Sequence, residues 1–433
     1  MTRLPLSEKS LDLIGEKIFA PLRDWKCAAC LFVPGGGKRT LISYFLSHQN
    51  KIKKYISGKT KRKILLVYVN PDKIEEFSSI GYLKLLVNSL SVVVNSKEFK
   101  LKDIDVSKNI LDQLQISLQL LVDRKLSIVF ILQDFELILG LPDSIFQNLE
   151  SIMSVDKSRI TFILLASVNL FSNKVIHKFH NLKYAVTESV NYIKLLDRVD
   201  SYYVIDVFGK ILHVDFPKRI KEEIFVLSGG NPQLMKYSIH ILKNIGGIEK
   251  LSLKTIKGTL LKNKQIRLIC NDIWNALDDK EKLLCIHVVR NRKILSSFYE
   301  EGEYLLSTGL ISLRGEYTTI SGELFHDFLE SFVPKEKLIC DPLTQQIFFG
   351  TSHCSDVFTP QEFKVLIFML NHEGVVISRD EVGEVLWGKG YYEKYSEWMI
   401  DKIISTLRKK LDSLGSPSSA LITLKKRGFY FKQ

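Results

Sequence analysis

Four short runs of apolar and β-branched residues punctuate the first half of the chain, at 28–33, 64–69, 127–132 and 161–166, and each predicts a buried strand. Between the second and third runs, Ile110, Leu114, Leu118 and Leu121 recur at spacings of three and four, so they share one helix face. Strands alternating with amphipathic helices predict a parallel sheet with helices on both faces over residues 1–195. Residues 196–262 lose the strand signal and read as helices, broken at Phe216-Pro217 and at Ser228-Gly-Gly-Asn-Pro232. Residues 263–335 give helices and then a hairpin, 311–314 and 317–320 about Gly315, an order compatible with a winged helix. The best linker lies at 332–337.

Residues 336–433 open with short strands around 338–340 and 346–349. Thr359-Pro360-Gln361-Glu362 then marks a helix start, with a capping threonine, proline at the first helical position and glutamate three residues after the cap. Ser378-Arg-Asp-Glu381 repeats the box for a second helix. A third helix is expected over 396–411, and a terminal hairpin from 421–424 and 428–431. The predicted architecture is an α/β domain with a parallel sheet and helices on both faces, a helical segment and two winged-helix-type α+β units.

Composition narrows the class. The 433 residues are 45% hydrophobic and 25% charged, which excludes collagen-like, disordered and disulfide-scaffold chains. No apolar stretch reaches the roughly 20 residues of a membrane span, and the N-terminus lacks the apolar core of a signal peptide, so a cytoplasmic protein with no membrane partner is expected. Six scattered cysteines fit reduced thiols. Cys27 and Cys30 form a lone CxxC inside an apolar run, and Cys340, His353, Cys354 and His372 do not match finger spacing, so no metal site is assigned.

A net charge of +13 points to a polyanionic partner only once it is localised. Residues 51–63 carry +7 and residues 395–433 carry +5, leaving the rest nearly neutral. The first run is expected to be a solvated loop, with contacts to DNA phosphates or to an acidic partner as the alternative.

Val33-Pro34-Gly35-Gly36-Gly37-Lys38-Arg39-Thr40 follows a predicted strand and opens a helix. Small residues there let backbone N–H groups close around phosphate, the helix dipole favours an anion, and Lys38 supplies a cation. Pro34, Gly35, Gly36, Gly37, Lys38, Arg39 and Thr40 are therefore the candidate nucleotide-binding residues. A plain Gly-rich turn is the competing reading. Two positions depart from GxxxxGK[ST]: Phe32 stands at the first glycine and Arg39 at the metal-binding hydroxyl. The third strand ends Ile131-Leu132-Gln133-Asp134-Phe135-Glu136, with Gln133 in place of the metal-facing acid and Asp134 in place of the acid that activates water. The fourth ends Ser167-Val168-Asn169, placing Asn169 where a polar sensor would stand. Gly229-Gly-Asn-Pro232 resembles the GGxP turn of a helical lid.

Together these residues make positions 1–335 resemble a STAND/AAA+-type ATPase of the origin-recognition-like branch. The resemblance implies ATP or ADP binding and a nucleotide-governed switch. Loss of both usual Mg²⁺ ligands argues against hydrolysis, because the metal bridges the phosphates and offsets developing charge.

The last hundred residues carry the sharpest motifs: Phe358–Leu366, Val376–Val382, Leu386-Trp-Gly388, Ile404–Leu411 and Ile422–Phe429, in order. They closely resemble the OmpR/PhoB-type winged helix across 338–433. On the third helix, Ile400, Ile404, Leu407 and Leu411 form a buried stripe, so Trp398, Lys402, Ser405, Thr406 and Lys409 project away from it. Positive charge gathers in Arg408-Lys409-Lys410 and in the wing, Lys425-Lys426-Arg427. The resemblance assigns base reading to Met399, Lys402 and Thr406, phosphate contacts to Ser405 and Arg408, and backbone or minor-groove contacts to Thr423 and Lys425. Thr406, Ile403 and Lys426 depart from the family's frequent Arg, His and Gly, which implies a different sequence preference. Protein contact through the same fold is the alternative use.

The reading that joins these parts is a bacterial, cytoplasmic transcriptional regulator of the signal-transduction type. Its C-terminal winged helix would read double-stranded DNA under control of an ATP-binding switch, with a protein partner or self-association through the ATPase-like region. A motor-like ATPase that remodels DNA or protein is the rival, and an inactive scaffold the third reading.

Overall fold

The computed structural model describes residues 6–56, 62–95, 109–245, 251–291, 302–314, 317–332, 337–340, 346–349, 352–388, 390, 396–414, 420–425 and 427–433. The chain divides into two compact units, Met1–Val333 and Pro334–Gln433.

The first unit is built on five parallel strands, β1 (Ala28–Leu31), β2 (Lys63–Val69), β3 (Leu126–Leu132), β4 (Ile160–Ala166) and β5 (Val190–Tyr192), in the order β2-β3-β4-β1-β5. Side chains alternate between the two faces. Ala29, Leu31, Ile128, Phe130 and Leu132 enter one core with the helices Ser79–Asn95, Ile110–Asp123 and Ser144–Met153. Ala28, Cys30, Phe32, Val129 and Ile131 enter the other, with the helices Glu8–Phe19, Lys38–Ser47 and Gln49–Ile56. A glycine-rich loop and then a helix follow β1, which lies between β4 and β5 inside the sheet. On the helix Ile110–Asp123, Leu114, Leu118 and Leu121 are buried as their spacing predicts. Cys27 and Cys30 are buried and free, and burial pushes the Cys30 thiol up to about 12.

The lid helices are Arg198–Leu212, Lys218–Ser228 and Pro232–Leu242, with Leu253–Lys262 beyond them. Gly229 takes φ 61° at the break before Pro232, and a Cβ there would run into the Ser321–Gly322 backbone. Only glycine suits that turn. Helices Lys264–Asn275, Asp279–Asn291 and Glu303–Thr308 then lead into the hairpin Ile311–Arg314 and Tyr317–Ile320 and a final helix, Glu323–Glu330. The expected Gly315 turn, and residues 333–336 of the expected linker, lie outside the described residues.

One expectation is corrected. The basic run is not a loop over its described part: residues 51–56 belong to the helix Gln49–Ile56, whose Ile52 and Tyr55 are buried against Glu8–Phe19. Lys51 and Lys54 pair with Glu8 and Asp12 at 2.7 and 2.8 Å, and the Arg62 guanidinium lies 4.7 Å from the centre of the Trp25 ring. Residues 57–61 lie outside the described residues.

The second unit begins with three antiparallel strands, Leu338–Cys340, Ile347–Phe349 and Ser352–His353. Helices Pro360–Asn371, Arg379–Trp387 and Glu397–Ser413 follow, and a second sheet pairs Val376–Ile377, Gly428–Phe431 and Leu421–Leu424. This is a winged helix. Both capping boxes form: Thr359 with Glu362 and Ser378 with Glu381. Among the described residues, no helix is long and apolar enough to cross a membrane.

Candidate functional sites

The loop after β1 places Lys38 at the start of its helix, buried to 6% exposure. Its ammonium lies 2.8 Å from Asp134 Oδ1 and 2.9 Å from Glu136 Oε1, and donates to the Leu165 carbonyl at 3.4 Å. An ammonium has three donors, so all are engaged. Asp134 follows β3 in the left-handed region, φ 49°, which turns its carboxylate towards the loop. Arg39 Nε donates to Asp134 Oδ2 at 2.9 Å, while Nη1 and Nη2 grip both oxygens of Asp72 at 2.6 and 2.9 Å. Gln133 Nε2 donates to Asp134 Oδ1 at 2.9 Å. Burial pushes the Asp134 carboxyl up, but Lys38, Arg39 and Gln133 together hold it below the usual carboxylate range.

The loop carbonyls are held from elsewhere in the same unit. Tyr304 donates its hydroxyl to Phe32 O at 2.6 Å, Asn231 Nδ2 donates to Pro34 O at 2.8 Å, and Gln233 N donates to Gly35 O at 3.2 Å. Gly35, at φ 77°, would drive a Cβ into Asn231 and Gln233, so the lid sits directly on the loop. Gly36 N closes back on Val33 O at 2.9 Å, and Gly37 caps the helix at φ 83°. Phe32 fills the core beneath that helix, which accounts for an aromatic where a P-loop has glycine.

The structure thus brings Pro34 to Arg39 together with Asp134, and adds Asp72 and Glu136, which the sequence reading did not assign. Asn169 turns elsewhere: its amide donates to Glu281 Oε1 at 2.9 Å and its carbonyl accepts from Phe171 N. Glu281 is 1% exposed and also accepts from Asp278 N. Burial raises its carboxyl to about 7.

A divalent cation does not fit the loop site. Both oxygens of Asp134 already face cations, and Thr40 is exposed on the helix beyond Arg39. Gln133 Oε1, at the place of the metal-facing acid, is buried and unpartnered, yet it is a neutral donor beside Lys38 and Arg39. One neutral oxygen does not offset two fixed cations.

In the second unit, Ser396 caps the helix Glu397–Ser413 by accepting from Met399 N. Ile400, Ile403, Ile404, Leu407 and Leu411 are buried, so Ile403 joins the expected stripe. Trp398, Met399, Lys402, Ser405 and Lys409 are exposed, and Thr406 is half-buried. The Lys402 ammonium stands 4.9 Å from the centre of the Trp398 ring. Thr406 Oγ1 donates to the Lys402 carbonyl at 2.9 Å. Arg408 reaches the wing, with Nε donating to Leu421 O at 2.8 Å and Nη2 to Thr423 Oγ1 at 2.7 Å. Lys410 pairs with Glu362 at 2.5 Å, where it helps hold that buried carboxyl below its usual range against the effect of burial. Lys425 and Arg427 are exposed on the wing, and Lys426 lies outside the described residues. Among the described residues, the exposed cations of this face are Lys402, Lys409, Lys425 and Arg427, on one helix and its neighbouring hairpin.

Residues 357–431 match the family described as "Transcriptional regulatory protein, C terminal". No curated protein matches the chain in sequence. Among solved structures, the Aeropyrum pernix ORC2 protein in ADPNP-ADP complexes is 13% identical, covering 75% of this chain and 94% of its own, with a TM-score of 0.43. A Walker-type ATPase of Pyrococcus abyssi is 13% identical over 75% and 95% of the two chains, with a TM-score of 0.46. The Klebsiella pneumoniae RstA DNA-binding domain, in complex with RstA box, is 26% identical over 22% of this chain and 90% of its own, with a TM-score of 0.19. The family match thus falls inside the winged helix of the second unit, on its three helices and terminal hairpin.

Proposed function

We propose that this protein is a DNA-binding transcriptional regulator whose winged helix reads double-stranded DNA and whose P-loop unit is a nucleotide-operated switch. One observation carries the first half: the family match over 357–431 coincides with a helix whose outer face presents Lys402 and Lys409 beside Lys425 and Arg427 on the wing. A helix in the major groove with a basic wing beside it matches the docking geometry of such motifs. Met399, Lys402 and Thr406 would face base edges. Ser405, Lys409 and Arg427 would face phosphates, and Arg408 would act by fixing the wing strand to the helix.

The switch half rests on the loop. Lys38 is engaged by Asp134 and Glu136, and the loop carbonyls by Asn231, Gln233 and Tyr304. ATP or ADP would take Lys38 by offering phosphate in place of Glu136, and its entry would shift the lid bonds at Pro34 and Gly35. A ligand shifts such an equilibrium only by its differential affinity for the two arrangements, and these contacts supply that difference. Hydrolysis is not part of the proposal, because Asp134 is held by Lys38 and Arg39 and is not free to activate water.

Selection of bound duplexes from random DNA by the full chain, with and without ATP or ADP, tests the reading. An enriched sequence whose yield changes with nucleotide is expected. No enrichment in any condition refutes the regulator, and enrichment indifferent to nucleotide refutes the switch.

A further inference from the structure

Arg39 stands where a P-loop carries a metal-binding hydroxyl, and its guanidinium does not simply point into solvent. It bridges two carboxylates from different strand ends: Asp134 after β3 and Asp72 after β2. Four contacts hold it, two to each acid, and the grip on Asp72 is bidentate. Asp72 is itself placed by the turn after β2, where Asn70 accepts from its backbone N–H at 3.2 Å. Planar, always charged and five-pronged, a guanidinium matches paired carboxylates in a way an ammonium cannot.

We infer that Arg39 is a resident cation that does the electrostatic work of a divalent metal in this site. The geometry supports it on three counts. Arg39 neutralises the acid, Asp134, that sits beside the position of the metal-facing residue. Gln133 at that position carries no charge to attract an ion. The side chains of Arg39 and Asp72 are about half exposed, so removing the guanidinium would open the cluster to an ion from solution. With Arg39 present, its guanidinium joins Asp72 to Asp134 while Lys38 holds Asp134 and Glu136; without it, Asp72 loses its cation and Asp134 keeps Lys38 alone. Carboxylate oxygens freed in this way are what a hard cation takes as ligands. For nucleotide, which rests on the reading proposed above, the consequence is affinity that does not depend on Mg²⁺.

Two measurements on the full chain separate the claims. In the first, without nucleotide, Mn²⁺ binding is counted by electron paramagnetic resonance for wild type, Arg39→Ser, Arg39→Lys and Arg39→Ser/Asp134→Asn. Arg39→Ser should bind one more Mn²⁺ per chain than wild type, Arg39→Lys should not, and Asp134→Asn should abolish the gain. Equal stoichiometry in wild type and Arg39→Ser, with both folded by circular dichroism, overturns the inference. Should Arg39→Ser fail to fold, Arg39→Ala with the same Asp134→Asn control decides on the same criterion.

In the second, ADP affinity is titrated in Mg²⁺ and in EDTA. Wild type should bind alike in both conditions, and Arg39→Ser should bind more weakly in EDTA than in Mg²⁺. Weaker binding by wild type in EDTA overturns the inference. Absence of ADP binding to wild type in both conditions removes the nucleotide reading, and the manganese count alone then decides the role of Arg39.

Discussion

Replacing Glu281 with glutamine isolates the effect of one buried carboxyl on stability. Glu281 is 1% exposed, accepts from Asn169 and from Asp278 N, and has no cation against it strong enough to offset burial, so its carboxyl sits at about 7 instead of the ordinary 4.5. A carboxyl whose folded value is raised prefers to be protonated in the folded state. Its favourable contribution is complete below the unfolded value and is lost as pH rises through the folded one. Each unit of difference is worth about 1.36 kcal/mol, so ionisation should remove about 2.5 kcal/mol of stability between pH 5 and pH 8. Urea unfolding of wild type and Glu281→Gln at pH 5, 6, 7 and 8 measures it. Glutamine loses one of the two accepting positions, which costs about 1 kcal/mol at every pH. The difference between the two proteins should therefore move in favour of the variant by about 2.5 kcal/mol as pH rises from 5 to 8. Parallel stability profiles would refute the argument that burial dominates this site.

Three further outcomes follow from the described contacts. Lys38→Met leaves Asp134 and Glu136 short of a partner and should destabilise the first unit by about 3 kcal/mol, with Lys38→Met/Asp134→Asn recovering part of it; urea midpoints check the pair, and equal midpoints for wild type and Lys38→Met would sink the burial argument. On DNA, Arg427→Ala should weaken binding to all sequences alike and lower the slope of log affinity against log salt by about 0.9, whereas Lys402→Ala should alter which sequences are selected. Binding isotherms over a salt series and repeated selection distinguish the two.

The β1, β3 and β4 segments were legible because a parallel strand covered on both faces is a continuous apolar run, and β2, at the sheet edge, because Leu65, Val67 and Val69 are buried at every second position. The winged helix was legible for another reason: Thr359 and Ser378 each carry a glutamate three residues on, a pattern that satisfies orphan N–H groups and fixes a helix start locally. β5 escaped because its three residues, Val190–Tyr192, are half-buried and read as loop without the knowledge that β1 lies beside them. The helix Gln49–Ile56 was hidden by its lysines, although Ile52 and Tyr55 at a spacing of three, both buried, were the available signal. At the candidate site, Lys38, Arg39 and Asp134 could be named from motif positions. Asp72 could not, since its role depends on β2 lying next to β3, a pairing of segments about sixty residues apart. Glu281 was readable as a capping glutamate after Asp278 but not as a buried one, because burial of a cap depends on what packs over it.

The Tyr304 hydroxyl that meets Phe32 O joins residues 272 positions apart. During synthesis, the loop after β1 leaves the ribosome long before the tyrosine that completes it, and at roughly 5–20 residues per second the interval is on the order of 14–55 seconds. Until then Phe32 O lacks that donor, and Pro34 O and Gly35 O lack theirs until residues 231 and 233, respectively, are made. The order of manufacture therefore withholds the finished loop until the lid and the helices beyond it exist, so a nascent chain cut short before residue 304 cannot present the loop in its final form.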